Sequence, residues 1–529
     1  MTTDTIAATI ERPVGYAFGS GPRGVLLGLA VRQLLLLGLG LAGAVGVLLG
    51  GGPLPVALTL LPAALTLACL PVGGRVLLDW ATPVRTAAQD AVAGRRDVST
   101  PVGEVAMLLR WQPGHCGAPE LGLALASTAT RQRSRPAMAE WSGLQVQSLD
   151  PAPGETFTGQ PAPAVIVDRA HGRLVLLLEV AGLDRFGLLE PSEQDRQLHS
   201  WGQALSVLSS GTDLIHVSLL DRVSPADPRA QQAWMRNHQP RDADAADGSR
   251  AGMDGYDALL QQVARRSTQR TGLLALALRL PSQRGDRRHP TGGLDSDMLR
   301  RRLADISRTL LSAQLSSRPL PADQIEAVLE AHVHGGTAQL PVAHADTAAL
   351  SLAGPRDWWP LTTRRRWDHV RTDDTFHRSF IITGWPRQQV GAGWLTPLLL
   401  VAPAGCARTL ALHLRPVPPE QASRIARTAR TRALLDHADR QRLALSGSAA
   451  VDAAASAAEA FDGELVAGHA CHRLVGLITI SAPSLAELEQ ASSQLRDGAG
   501  QARLQLAPTH GQHPAALVGT APLCRLRAA

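Results

Sequence analysis

The 529-residue chain contains no lysine, so every cationic side chain other than histidine is an arginine. This absence excludes the lysine of a P-loop, a Schiff-base lysine and a lysine general base. The chain also has no G-x-S-x-G or H-E-x-x-H motif, so it shows no assembled nucleophile or zinc-protease site. From these absences we expect a protein that is not an enzyme, with no catalytic residues, no cofactor and no metal.

Cysteine is scarce, and none of the five cysteines forms a C-x-x-C pair. Their odd number and wide spacing indicate free thiols in a reducing cytoplasm. Zinc sites usually show paired ligands at tight spacing in two places. Two histidine clusters lack that pattern: His332, His334, His344 and Asp346, and then His469, Cys471 and His472.

Charge is absent from Gln33 to Gly74, a stretch long enough for two membrane passes of about 20 apolar residues each. Arginines flank the stretch on both sides, so the positive-inside rule predicts two cytoplasmic termini. We therefore expect a two-pass hairpin in the cytoplasmic (inner) membrane, with the lipid bilayer as a partner. Small residues at helical spacing are candidates for close helix packing in lipid: Gly43, Gly46, Gly50, Ala64 and Ala68.

Beyond the hairpin, strands alternate with helices, which is typical of an α+β fold. The order strand–helix–strand, then helix–strand–helix, predicts ferredoxin-like (split βαβ) units, and the C-terminal part repeats this order. Residues Thr396 to Val401 are predicted as a strand, and Ser484 with Glu487 predicts a capping box. The predicted segments are an N-terminal cytosolic segment (1–23), the transmembrane hairpin (24–80), a membrane-proximal linker with strands (81–163), and two cytosolic α+β domains (164–345 and 346–529).

A basic, aromatic-rich stretch around Arg364 to Arg371 is the main candidate for an interface, because tryptophan and arginine are favoured in interface hot spots. The net charge of +6 is too dilute to indicate nucleic acid, and nearby aspartates compensate the arginines. A protein contact and a solvated surface stay open as alternatives. The interface candidates are Trp358, Trp359, Arg366, Trp367, Trp385, Arg387 and Trp394.

Several segments of the C-terminal half resemble a family of two-pass actinobacterial membrane proteins found in mobile-element gene clusters beside a conjugation-type ATPase. The segments are Phe380-Ile-Ile-Thr-Gly-Trp-Pro-Arg387, Arg415-Pro-Val-Pro-Pro419, Gly463-Glu-Leu-Val-Ala-Gly-His469 and Ala521-Pro-Leu-Cys-Arg-Leu526. This half is also similar to the N-terminal region of TrbE/CagE-type type IV secretion ATPases, without their motor. The resemblance implies a scaffold and carries over no catalytic residue.

The expected function is therefore a non-enzymatic, membrane-anchored structural component of a conjugative or type IV secretion-like apparatus. It would dock a conjugation-type ATPase in trans, beside other membrane components, and could form a homo-oligomer. One alternative is an EccE-like component of type VII secretion. A membrane-anchored enzyme, or a protein that contacts DNA, is a second alternative.

Overall fold

The computed structural model describes residues 31–76, 97–99, 139–149, 162–181, 189–226, 267–280, 296–336, 359–386, 390–442 and 449–526, with short gaps inside several of these ranges. These residues form a helical hairpin, a two-stranded ribbon, one large antiparallel sheet and the helices packed on that sheet. Residues 1–23 of the predicted N-terminal segment and most of the predicted linker lie outside the described part.

The N-terminal hairpin consists of helices α1 (Val31–Leu49) and α2 (Leu54–Cys69). At 1.5 Å per residue α1 is about 28 Å long and α2 about 24 Å, while a membrane pass needs about 20 apolar residues. Helix α1 also contains Arg32 and Gln33, and the Gln33 amide donates to the Ala68 carbonyl at 2.7 Å. Within the described residues, no helix combines the length and the apolar character needed to cross a membrane. The predicted transmembrane hairpin and inner-membrane localisation are wrong.

Thirteen strands form the large sheet, and all of its described strand pairs are antiparallel. A separate ribbon pairs β1 (Pro71–Val72) with β2 (Arg75–Val76). The strands of the sheet are β3 (Asp97–Ser99), β4 (Leu144–Ser148), β5 (Ala164–Asp168), β6 (Arg173–Ala181), β7 (Leu214–Pro225), β8 (Thr268–Arg279), β9 (Ser316–Pro319), β10 (Thr362–Arg365), β11 (Val370–Thr372), β12 (Thr375–Gly384), β13 (Ala407–Pro416), β14 (His472–Ala482) and β15 (Gln505–Pro508).

Helices cover both faces of this sheet. A short 3-10 turn, Ala139–Trp141, precedes β4. The helices after the N-terminal hairpin are α3 (Pro191–Ser210), α4 (Ser296–Ser312), α5 (Ala322–His334), α6 (Thr396–Leu399), α7 (Pro419–Arg442), α8 (Ala449–Val466), α9 (Leu485–Gln501) and α10 (His513–Gly519).

The same arrangement of elements occurs twice. In the first half, β6, α3, β7, β8, α4 and β9 follow one another, and the strands lie in the spatial order β9-β6-β8-β7. In the second half, β12, α6, β13, β14, α9 and β15 occur in the same order, with α7 and α8 inserted between β13 and β14, and the spatial order is β15-β12-β14-β13. A strand pair precedes each half (β4–β5 and β10–β11), and one helix follows each (α5 and α10).

The two halves share one sheet because β7 pairs with β13, with Leu220 opposite Ala411 near the middle of the pairing. The fold predicted from the sequence, a transmembrane hairpin followed by cytosolic ferredoxin-like units, is therefore wrong: the chain builds one continuous antiparallel sheet. Two separate units would each leave an unpaired edge strand at this position. Instead, β7 and β13 pair with each other. The predicted segment boundaries stay predictions.

Buried apolar side chains on both sides of the sheet explain the strand sequences. The interior strand β6 is a near-continuous apolar run, because Leu174, Leu176 and Leu178 face one core while Val175 and Leu177 face the other. A third cluster, around Phe380 and Ile480, lies under α6 and α9. Each fully buried leucine contributes about 1.5–3 kcal/mol relative to an exposed one.

Local sequence signals explain where these helices form and begin. In α4 the buried residues recur every three or four positions, which is the spacing of one helix face: Leu299, Leu303, Ile306 and Leu310. Helix α9 begins after Ser484, whose Oγ accepts the Glu487 N–H at 3.3 Å, so the predicted cap is confirmed. The strand predicted from Thr396 is wrong: Pro397 occupies the first turn of the short helix α6 instead.

Candidate functional site

The turn between β10 and β11 carries the basic, aromatic-rich stretch. We call Arg366–His369 the Trp367 loop. It is a tight turn, because Arg365 pairs with Val370 and the Arg366 N–H donates to the His369 carbonyl at 3.0 Å. A second backbone hydrogen bond, from the Gly511 N–H to the Trp367 carbonyl at 2.8 Å, ties the loop to the segment before α10.

Trp367 is held in a defined orientation at the surface. Its indole stacks on the His510 imidazole with a centroid distance of 5.8 Å and an interplanar angle of 5°. The side chain nevertheless stays 40% exposed. An aromatic side chain that is both exposed and immobilised loses little entropy when a partner covers it.

An ion network supports the loop from beneath. The buried Arg378 guanidinium donates to the Asp368 carbonyl at 3.0 Å, to the Asp368 carboxylate at 3.2 Å and to the Glu489 carboxylate at 2.8 Å. Burial raises the pKa of Asp368, but His369 and Arg378 outweigh burial and leave this pKa below its usual value. The hydrogen bond from Arg378 lowers the pKa of Glu489. Both carboxylates therefore carry charge at neutral pH in the ion network around Arg378.

The neighbouring arginines of the stretch bind within the protein. Arg365 pairs with Glu140 at 2.9 Å and is 9% exposed. Arg371 donates to the Asp373 carbonyl at 2.8 Å and lies 5.1 Å from the centre of the Phe376 ring. These contacts agree with a self-paired surface better than with a row of cations that binds phosphates.

The other predicted interface residues lie elsewhere. Trp385 and Trp394 form an edge-to-face pair at 6.4 Å and pack against the Phe380 cluster. Trp359 packs, partly buried, against the core that contains Trp141. Trp358 and Arg387 lie outside the described residues. Among the described residues of the predicted set, the structure therefore brings together two pairs: Arg366 with Trp367, and Trp385 with Trp394.

The predicted helix-packing residues contribute unequally to the α1–α2 contact. A Cβ on Gly43 would lie 3.7 Å from Leu60, and Ala68 is fully buried. A Cβ on Gly46 would meet nothing within 4 Å, and one on Gly50 would meet only the backbone of α1. The close approach occurs instead at Gly40, where a Cβ would lie 2.5 Å from that of Ala64.

A buried layer of histidines and hydroxyls lies beneath α5 and α10, and the sequence analysis did not predict it. We call it the polar layer: its histidines are His216, His332, His377, His413 and His513. All five are at most 2% exposed. The signal that could have revealed it is the two-residue spacing of His216 with Ser218 and of His377 with Ser379, which puts polar groups on one strand face.

Hydrogen bonds connect this layer across the sheet. His216 Nε2 lies 3.0 Å from His413 Nδ1, and His377 Nδ1 lies 2.8 Å from Ser481 Oγ. His332 Nε2 donates to the Leu517 carbonyl at 2.9 Å. These bonds satisfy groups whose burial would otherwise be costly.

Burial keeps these imidazoles neutral. It lowers the pKa of His216 to about 2, of His332 and His513 to about 3, and of His413 to about 4. The pKa of His377 also lies well below 6.5, again chiefly through burial. Among the described residues, no group of three or more histidine, cysteine, aspartate or glutamate side chains is arranged to hold a metal ion.

Comparison with known proteins adds no assignment. No family model matches the chain, and no curated protein matches its sequence.

Proposed function

We propose that the chain is a non-enzymatic structural component of a conjugative or type IV secretion-like apparatus, and that its Trp367 loop docks a separate P-loop ATPase. The observation that carries the docking site is the exposed, stacked Trp367 on a loop held by backbone hydrogen bonds at both ends. The resemblance of the C-terminal half to secretion-ATPase N-terminal regions supports the partner class.

Trp367 would serve as the anchor residue of the contact. Tryptophan dominates interface energetics when it is buried at the centre of a contact. Here the indole needs no rearrangement before binding, since His510 already fixes it. Asp368, the next residue in the chain, and Glu489, which shares Arg378 with it, would select a partner surface rich in arginine or lysine.

Binding of the full-length chain to a purified conjugation-type P-loop ATPase tests this proposal. We expect Trp367→Ala to weaken the complex by about 2 kcal/mol or more, about 30-fold in Kd. Leu311→Ala is the matched control, because Leu311 is 67% exposed on α4, away from the loop. Calorimetric titration gives Kd, and circular dichroism checks that both variants remain folded. An unchanged Kd for Trp367→Ala, or no binding by the unmodified chain, would refute the docking site.

A further inference from the structure

We infer that a second copy of this chain binds the helical arm formed by α7 and α8, through an antiparallel contact in which α7 of each copy lies along α8 of the other. The arm is inserted between β13 and β14 at the centre of the sheet. Helix α7 has 24 residues, a length of about 36 Å.

The two helices of the arm carry opposite charge. Helix α7 contains six arginines and three carboxylates, whereas α8 contains four carboxylates and no arginine. Within one arm, Arg430 reaches Asp462 at 3.6 Å, and Ala422, Ala426 and Ala458 are buried. This internal contact uses only part of the charge.

Further charge is exposed on stripes that flank the internal contact, since Leu434 and Val466 lie four residues after Arg430 and Asp462. On α7 the exposed stripe includes Arg424, Arg427 and Leu434. On α8 it includes Glu459 and Val466. Leu434 is 64% exposed and Val466 is 85% exposed, so both offer apolar surface to a second copy.

The spacing on the two stripes matches. Arg427 and Leu434 are seven residues apart on α7, and Glu459 and Val466 are seven residues apart on α8. Within one arm, α7 and α8 run in opposite directions. When two arms also point in opposite directions, α7 of one copy therefore runs in the same direction as α8 of the other. A single register then places Arg427 opposite Glu459 and Leu434 opposite Val466, and twofold symmetry repeats both contacts. Opposite charge and paired apolar groups therefore select a second copy as the occupant.

A charge-reversal series on the full-length chain tests the contact. In sedimentation velocity over a range of concentrations, Arg427→Glu or Glu459→Arg alone is expected to weaken dimerisation by about tenfold or more, since each reversal affects two symmetric contacts. The double variant Arg427→Glu with Glu459→Arg is expected to restore the dimer. High salt weakens the dimer of the unmodified chain.

Arg301→Glu on α4 is the matched control, because it reverses an exposed arginine on another helix. All substituted side chains are exposed, so folding is expected to persist in each variant. Three outcomes overturn the inference: a chain that stays monomeric at every concentration, a double variant that fails to restore the dimer, and self-association unaffected by either single reversal. ATPase binding through Trp367 is measured separately, so either proposal can fail alone.

Discussion

Arg525, three residues after the buried Pro522 and four from the end of the chain, joins the two halves of the molecule. Its guanidinium donates to both oxygens of Asp168 on β5, at 2.8 and 2.7 Å, and to the Glu140 carbonyl. Asp168 is fully buried; burial raises its pKa, but Arg525 and His171 outweigh burial and lower it. The C-terminal segment thus fastens the second half of the chain to the first.

Replacing Arg525 is expected to destabilise the fold strongly. Arg525→Ala leaves the Asp168 carboxylate buried without its main partner, which costs about 3–5 kcal/mol. Urea unfolding at pH 7.5 measures the change. The double variant Asp168→Ala with Arg525→Ala should recover part of the loss, because it removes the orphaned charge. A single variant as stable as the unmodified chain would show that this ion pair contributes little.

At the scale of elements, the close approach of α6 and α9 depends on one glycine. A Cβ on Gly498 would lie 2.5 Å from Val401 Cγ2 and 3.1 Å from the Pro397 carbonyl oxygen. A Cβ on Gly500, in the same helix, would meet nothing within 4 Å. The helical propensity of this segment was readable in the sequence, but the need for glycine at position 498 was not, because α6 lies about a hundred residues earlier in the chain.

Substituting these two glycines by alanine should change the stability of the protein in opposite directions. Gly498→Ala is expected to destabilise the protein by about 1–3 kcal/mol through overpacking. Gly500→Ala should be neutral or stabilise by up to about 1 kcal/mol, since alanine restricts the unfolded chain. Thermal unfolding of both variants measures the difference. Equal midpoints would mean that α6 moves to accommodate the added methyl group.

At the scale of the whole molecule, the polar layer makes stability depend on pH. Each of its histidines has a folded-state pKa below the unfolded value of about 6.5, so its contribution is fully present above pH 6.5 and is lost as pH falls toward the folded pKa. Near pH 5.5 each group costs about 1 kcal/mol or slightly more. Together the five approach the whole stability of a typical domain.

We therefore expect acid unfolding well above the range in which carboxylates protonate. Urea midpoints measured from pH 7.5 to 5.0 should fall steadily below pH 6.5, with several protons taken up on unfolding. Replacing His216 and His413 by asparagine should reduce that proton uptake by about two, whatever its effect on stability at pH 7.5. A flat stability profile across this range would contradict the buried, neutral state of the histidines.

By itself the sequence determined the local features: the capped start of α9, the amphipathic face of α4, most strands, and the lack of lysine chemistry. It also grouped Arg366 and Trp367 in one basic, aromatic-rich stretch, because those residues are adjacent. The tertiary structure alone decided the continuous sheet, the polar layer and the ion pair between Arg525 and Asp168. Each of these depends on pairing between residues far apart in the chain, and the identity of a distant partner leaves no periodic trace in a single sequence. The error over α1 and α2 has a different reason: hydropathy revealed an apolar run, but the length of each helix was set by where the chain turns.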